Sequence, residues 1–594
     1  MNRRFLTVIL AVTLLAGCGP ISTEPVDQES APADEPVIAY VPLDDRPDNE
    51  ERVVYLADSL GYELLLPERD DYQTRLDGQP LNENGTQYGD RADLYAWVLA
   101  REAEGCDRYI LSVDQLLSGG LVSSRSMAGE NPVTLSDGRT LSEAELLTEL
   151  LGLLAADENN QVWLLDTVMR LAATTGYGGF GLNEYNALRT YGMAARPHLT
   201  GAELTVENIV ADYPLGADGQ VIRAEAEEPL PEGAVEGYLA ARERKLRLSQ
   251  TLFDALPGTE GRFHVLVGID DSSEEDSIQK NEIAYLRSRL REGDALLSGV
   301  DDLAFKAVAR LYLDECGWEG ADVSVEYFGG TEDQPACAYD YQPLTAIMAE
   351  HFDFFDLRPA EPGAAELRIL VLTQPADETK KDDYIQAVVR ELEGDSAQTP
   401  TVLIDAGNGT YGTAFHETLT EKVQLGRLLS YAGFLDMAIV TGTALSHGVA
   451  RYAFLRHGEQ TDATERAFLR TVADSVLKDF CYKNVVRNDI LNFVRSDLSG
   501  NADNFWTPDI DRDAVLERLE SGMAAATADV IANLERSNFI SALPSAGEYA
   551  ERGWGGVELT NYRFPWDRAF EIGMDIRLGD FTEPHKQVLG IYYQ

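Results

Sequence analysis

Short apolar runs rich in branched residues alternate along most of the chain with longer amphipathic stretches. The runs fall at 37–41, 62–66, 108–113, 161–165, 263–269, 323–328, 367–373 and 401–404, with a ninth candidate at 437–440. Between them, 91–104, 141–156, 235–256, 278–292, 301–315 and 382–393 carry helical periodicity. Near-continuous apolar strands separated by helices predict a parallel sheet covered on both faces. Eight is the number of strands that closes a (β/α)8 barrel. The expected fold is therefore α/β, with a parallel (β/α)8-type barrel over 37–444; the alternative is a doubly wound open parallel sheet, in one copy or two. Beyond 445 the pattern turns helical, notably at 463–479 and 513–535, so 445–594 reads as a helical C-terminal region packed on the α/β domain. Residues 171–232 form a weakly patterned insertion with a glycine-rich start at 176–181. An insertion of that length reads as a lid or binding loop.

The first residues add an address. Arg3 and Arg4 precede an apolar run from Phe5 to Ala16, shorter than the roughly 20 residues a spanning helix needs and of signal-peptide length. It ends in Leu15-Ala16-Gly17-Cys18, which resembles the lipobox of bacterial lipoproteins. The expectation is a signal peptide over 1–17, lipidation of Cys18, an acidic flexible linker over 18–36 and an extracytoplasmic domain held at the bacterial cell membrane by that lipid.

Composition narrows the partners. Against 49 basic residues stand 101 acidic ones, a net charge of -52, which repels nucleic-acid phosphates and excludes them as partners. Four cysteines follow Cys18, and spacing outside the cytoplasm favours a Cys316–Cys337 disulfide. No CxxC or Cys/His cluster marks structural zinc. The seven histidines lack HExxH spacing, and there is neither a Walker lysine nor a GxSxG elbow.

The candidate chemistry lies where strands end. Five runs lead into an aspartate: Asp44, Asp114, Asp166, Asp270 and Asp405. In a parallel architecture these ends share one rim, where active sites form. Converging carboxylates there fit acid–base work or a cation; a bland reading makes some of them helix caps. Asp270-Asp271 is the proposed catalytic pair, because an acidic doublet at a strand end is similar to the paired acids of substrate-assisted hexosaminidases. Arg46, Arg125 and Arg170 accompany the strand ends and either hold an anionic group of the substrate or neutralise the aspartates. Asn408, in the glycine-rich 405–412 segment, completes the substrate-binding set of Asp44, Arg46, Asp114, Arg125, Asp166, Arg170 and Asp405.

Val41-Pro42-Leu43-Asp44-Asp45-Arg46-Pro47, Ser118-Gly119-Gly120-Leu121-Val122-Ser123-Ser124-Arg125 and Gly268-Ile269-Asp270-Asp271 resemble a bacterial family catalogued as domain of unknown function 4127. The resemblance runs from about residue 37 to Phe564-Pro565-Trp566-Asp567-Arg568 and implies no reaction. The functional expectation is a glycoside hydrolase-like enzyme acting on carbohydrate or cell-wall glycan without a cofactor. The alternatives are a non-catalytic sugar- or peptide-binding lipoprotein and a hydrolase dependent on magnesium or calcium.

The address is testable by mass and fractionation. Cys18→Ala is expected to release the protein from membranes or leave it with an uncleaved leader; a processed, fully membrane-bound variant defeats the assignment.

Overall fold

The computed structural model describes residues 36–580, apart from 77–78, 128–130, 178–179, 273–274, 394–399, 503, 506–509 and 538–555. Cys18, the leader and all but the last residue of the linker lie outside the described residues, as do Gly178 and Gly179. Among the described residues no helix is long and apolar enough to cross a membrane.

The strands form two open parallel sheets. The first runs, in spatial order, Glu63–Leu65, Val37–Val41, Arg108–Ser112, Gln161–Val168, Phe263–Ile269 and Ala295–Ser298. The second runs Leu357–Pro359, Ala321–Phe328, Leu367–Leu372, Thr401–Asp405 and Ser430–Gly433. Both begin in the order 2-1-3-4-5, a common doubly wound arrangement. The expected single closed barrel gives way to this pair, and Thr401–Asp405 does not share a sheet with the other aspartate-bearing strands. Burial along a strand reads the same in a closed sheet, an open one, or two, so periodicity could not decide. The run 437–440 is not a strand but the start of a helix, Met437–His457, buried from Met437 through Leu455. Short buried runs of either kind look alike in sequence.

Layering follows from which face each side chain takes. Ile38, Tyr40, Ile110 and Leu266 of the first sheet and Val323, Ile369, Val402 and Ile404 of the second belong to one apolar core. Between them lie Glu51–Ser59, Leu303–Glu315, Leu344–Phe354 and Met437–His457, whose apolar residues share that core. The opposite face of the first sheet is covered by helices including Arg91–Ala103, Glu143–Ala155 and Ala234–Asp254. The opposite face of the second is covered by Lys381–Leu392, Gly412–Lys422 and the C-terminal helices, including Arg512–Arg536. The helices between the sheets thus share one continuous core with both.

Cys316 and Cys337 are free thiols rather than a disulfide. They flank opposite ends of the eight-residue strand Ala321–Phe328, which at about 3.3 Å per residue holds them far beyond disulfide reach.

Gly268, on the strand next to the edge of the first sheet, serves packing. A Cβ there would meet the Gly299 carbonyl at 2.5 Å and Val300 at 2.8 Å. Gly152, in the helix Glu143–Ala155, has nothing within 4 Å. Gly268→Ala is expected to destabilise by about 1–3 kcal/mol and Gly152→Ala to stabilise by about 0.5–1 kcal/mol. Urea melts of the two variants check the pair.

Candidate active site

The C-terminal ends of both sheets open onto one cavity of about 500 Å³. Chain order in the first sheet reverses between Val37–Val41 and Arg108–Ser112, the kind of place where doubly wound sheets bind ligands. The loops leaving these two strands bring Arg46 and Arg125 to the cavity; later ends bring Arg170, Asp270, Asp271 and Asp301. The second sheet contributes Asn408 after Thr401–Asp405, and Phe434, Leu435 and Asp436 after Ser430–Gly433. A third wall comes from the C-terminal region: Lys483, Arg487, and the segment joining the antiparallel strands Val557–Arg563 and Gly573–Leu578.

Three arginines are tied to aspartates. The Arg46 guanidinium binds Asp44 at 2.8 Å through one terminal nitrogen and at 3.0 Å through Nε. It also donates to Asp301 at 2.6 Å and stacks on Trp566 at 4.7 Å. Arg125 is ion-paired with Asp270 and donates to Thr174 at 3.0 Å. Arg170 is ion-paired with Asp271 and donates to Tyr185 at 3.3 Å. The Asp271 amide donates to the Asp270 carboxylate at 2.9 Å, locking the doublet. Burial pushes the carboxyls of Asp44 and Asp271 upward, against the opposing pull of Arg46 and Arg170.

Two other acids are pushed up despite the opposing pull of Lys483 on Asp436 and of Arg46 and Lys483 on Glu571. Burial, with Asp340, Asp271 and Asp301 nearby, pushes Asp436 up to about 8. Among the described residues no arginine or lysine lies within ion-pair distance of it. Burial and the neighbouring Asp48 hold Glu571 well above the carboxylate range. Burial also opposes ionisation of Asp48, but Arg52, Lys483 and Lys478 outweigh it and hold that carboxyl low. Glu571 thus keeps the proton of the pair.

Cys337, Asp340 and Asp436 bring ligand-type atoms within 4.8 Å of one another. Asp340, however, accepts from the Met437 and Ala438 amides at 3.3 and 3.0 Å and from the Cys337 thiol. Its oxygens cap the helix Met437–His457, whose positive end disfavours a cation.

The cavity wall carries unusual backbone. Asn408, Phe434 and Trp566 all have positive φ, at 47°, 57° and 55°. For a bulky aromatic this is a costly conformation that the surroundings must enforce. At Gly409 (φ 75°) a Cβ would lie 2.2 Å from the Phe434 ring, so that ring is seated on a position only glycine can fill.

A family model described as Protein of unknown function (DUF4127) matches residues 38–575. The chain belongs to that family. The family's match spans both sheets and ends beyond the Pro565–Glu571 wall, so all three sources of the cavity fall inside it. No curated protein and no solved structure matches the chain significantly.

Of the residues singled out from sequence, Arg46, Arg125, Arg170, Asp270, Asp271 and Asn408 line the cavity. Asp44 stands behind Arg46. Asp114, Asp166 and Asp405 lie away from it. Asp405 accepts from the Gly407 amide at 3.0 Å, and burial pushes it up to about 7; it shapes the loop that carries Asn408. Asp114 and Asp166 share Lys245 of the helix Ala234–Asp254, at 2.7 Å from Asp166, with Thr167 and Ser249 donating to them. Sequence reasoning missed Asp301, Asp436, Lys483, Arg487 and Glu571. The available signal was the aromatic Arg-Phe-Pro-Trp-Asp-Arg stretch at 563–568, whose exposed-looking aromatics needed a partner.

The Lys245 cluster is fully buried, and burial disfavours its ammonium less than Asp114 and Asp166 favour it. Lys245→Met leaves two buried carboxyls without a cation, an expected loss of about 3–5 kcal/mol at neutral pH. The folded pKa of Asp114, already raised by burial, then rises further above the unfolded value, so the variant's stability falls as pH rises from about 4. Urea unfolding at pH 5 and pH 8 checks this; a pH-independent loss contradicts it.

Proposed function

We propose that this protein is an extracytoplasmic, lipid-anchored hydrolase of the glycoside hydrolase type, acting on carbohydrate or cell-wall glycan. The observation that carries the reading is the division of acids within one cavity. Asp270, Asp271 and Asp301 are each paired with an arginine, while Asp436 has no cation within ion-pair distance among the described residues and is pushed up to about 8. A carboxyl without an ion-pair partner facing another that an arginine holds is the pattern of an acid and its charged partner. In this reading Asp436 holds the proton given to the leaving oxygen. Asp271, oriented by Arg170, supplies the carboxylate that acts at the sugar carbon or on water. Asp270 and Arg125 position Asp271 through its backbone amide. Phe434, Leu435 and Tyr339 offer the apolar surface on which a sugar ring packs.

Asp436→Asn and Asp271→Asn are each expected to fold normally and to lose about 10²–10⁴ in turnover of a responsive aryl glycoside. The Asp436 proton is present below its raised pKa, so wild-type activity declines as pH climbs through about 8, a limb that Asp436→Asn abolishes. Full activity in Asp436→Asn defeats the reading. Loss of wild-type turnover in chelator moves it to a magnesium- or calcium-dependent hydrolase, and ligand binding without turnover moves it to a binding protein.

A further inference from the structure

The cavity concentrates positive charge in a chain that has little of it. Six basic side chains line it, Arg46, Arg125, Arg170, Lys483, Arg487 and Arg568, against five acidic ones, whereas the whole chain carries 49 basic to 101 acidic residues. Two of the five acids, Asp436 and Glu571, are held toward the neutral form. The wall facing a ligand is therefore net positive.

Most of these cations already have a carboxylate. Arg46, Arg125 and Arg170 have their aspartates, and Lys483 is bound to Asp479 at 3.1 Å. Arg487 differs. Its Nε donates to the Ala569 carbonyl at 3.1 Å, and no carboxylate lies within ion-pair distance among the described residues. The carbonyl fixes the plane of the guanidinium and leaves its terminal N–H groups for the cavity. Arg487 directly follows the π-helical segment Val476–Val486; widened turns of this kind are rare and recur at functional sites. A half-buried guanidinium fixed through Nε and lacking an anion matches a carboxylate in fork geometry.

We propose that Arg487 is the specificity-determining residue of an anion subsite, and that the ligand is a sugar bearing a carboxylate, as in uronic acids. The inference rests on the carbohydrate reading above and names the substrate class for that site. Asp271 and Asp436 act at the scissile bond, while Arg487, on the C-terminal wall, binds the carboxylate of the same or the adjoining ring.

Calorimetry on the full-length chain tests this with sodium glucuronate, glucose and inorganic phosphate as probes, against wild type, Arg487→Gln and Arg487→Lys. Thermal melts of each variant verify folding. Wild type is expected to bind glucuronate at least about tenfold more tightly than glucose, the scale of a charge-assisted hydrogen-bond pair. Arg487→Gln abolishes that preference, and Arg487→Lys restores part of it. Equal affinity for the two sugars, binding of neither, or a preference untouched by Arg487→Gln overturns the proposal; phosphate binding tighter than glucuronate overturns the carboxylate assignment. Wild-type turnover of aryl glycosides scores the catalytic reading separately. Arg487-dependent glucuronate binding without turnover strikes catalysis alone, and turnover without a glucuronate preference strikes the anion subsite alone.

Discussion

The forked contact of Arg46 joins three remote parts of the chain. Its guanidinium spans Asp44, just past the first strand, and Asp301, just past the last strand of the same sheet. Its face carries Trp566 from the C-terminal segment, and the Trp566 indole donates to Asp45 at 2.8 Å. Asp44 is fully buried and Arg46 nearly so. Two charges taken out of water are tolerated only in good mutual geometry; without its partner, either becomes a cost of several kcal/mol. The loop around Arg46 therefore cannot relax independently of the sheet's far edge or of the wall above it. Asp270–Arg125 and Asp271–Arg170 repeat the arrangement on the neighbouring strand ends, and together these pairs give the cavity its fixed outline.

The elements themselves were legible. Strands buried on both faces stand out as apolar runs, and all eight principal runs from Val37 to Asp405 are strands. Their partition was not legible, because adjacency of parallel strands leaves no local mark. Short strands such as Ala295–Ser298 and Ser430–Gly433 fell below the length at which a run can be told from a loop. Aspartates at strand ends also looked equivalent: nothing local separates Asp270, at the cavity, from Asp166, whose partner Lys245 lies 79 residues along the chain. Asp114 and Asp166 became a buried ion cluster, and Asp405 a loop brace. Helical periodicity in the C-terminal region marks a covering layer and carries no sign that Lys483, Arg487 and Glu571 face the cavity.

Burial sorts the charges of this acidic protein by role. At the strand ends it forces aspartates into arginine pairs; in the Asp48–Glu571 pair it holds Glu571 toward its protonated form. At Asp436 it does so without a cation partner. The overall excess of acid thus remains with the solvated surface, while the cavity interior inclines to the opposite sign. Distant surface charges are screened within about 10 Å at ordinary ionic strength, so the interior can favour an anion that the exterior repels.

The shared helical core sets a mechanical limit. Leu303–Glu315 packs on the first sheet, Met437–His457 on the second, and the two helices pack on each other, so the sheets are held apart by close-packed helices that resist compression. The jaws of the cleft are consequently of fixed gauge. The wall that belongs to neither sheet does not loosen this gauge, because Trp566 donates to Asp45 and stacks on Arg46 while the Ala569 carbonyl accepts from Arg487 and Tyr482. The cleft is a vice locked on all three faces.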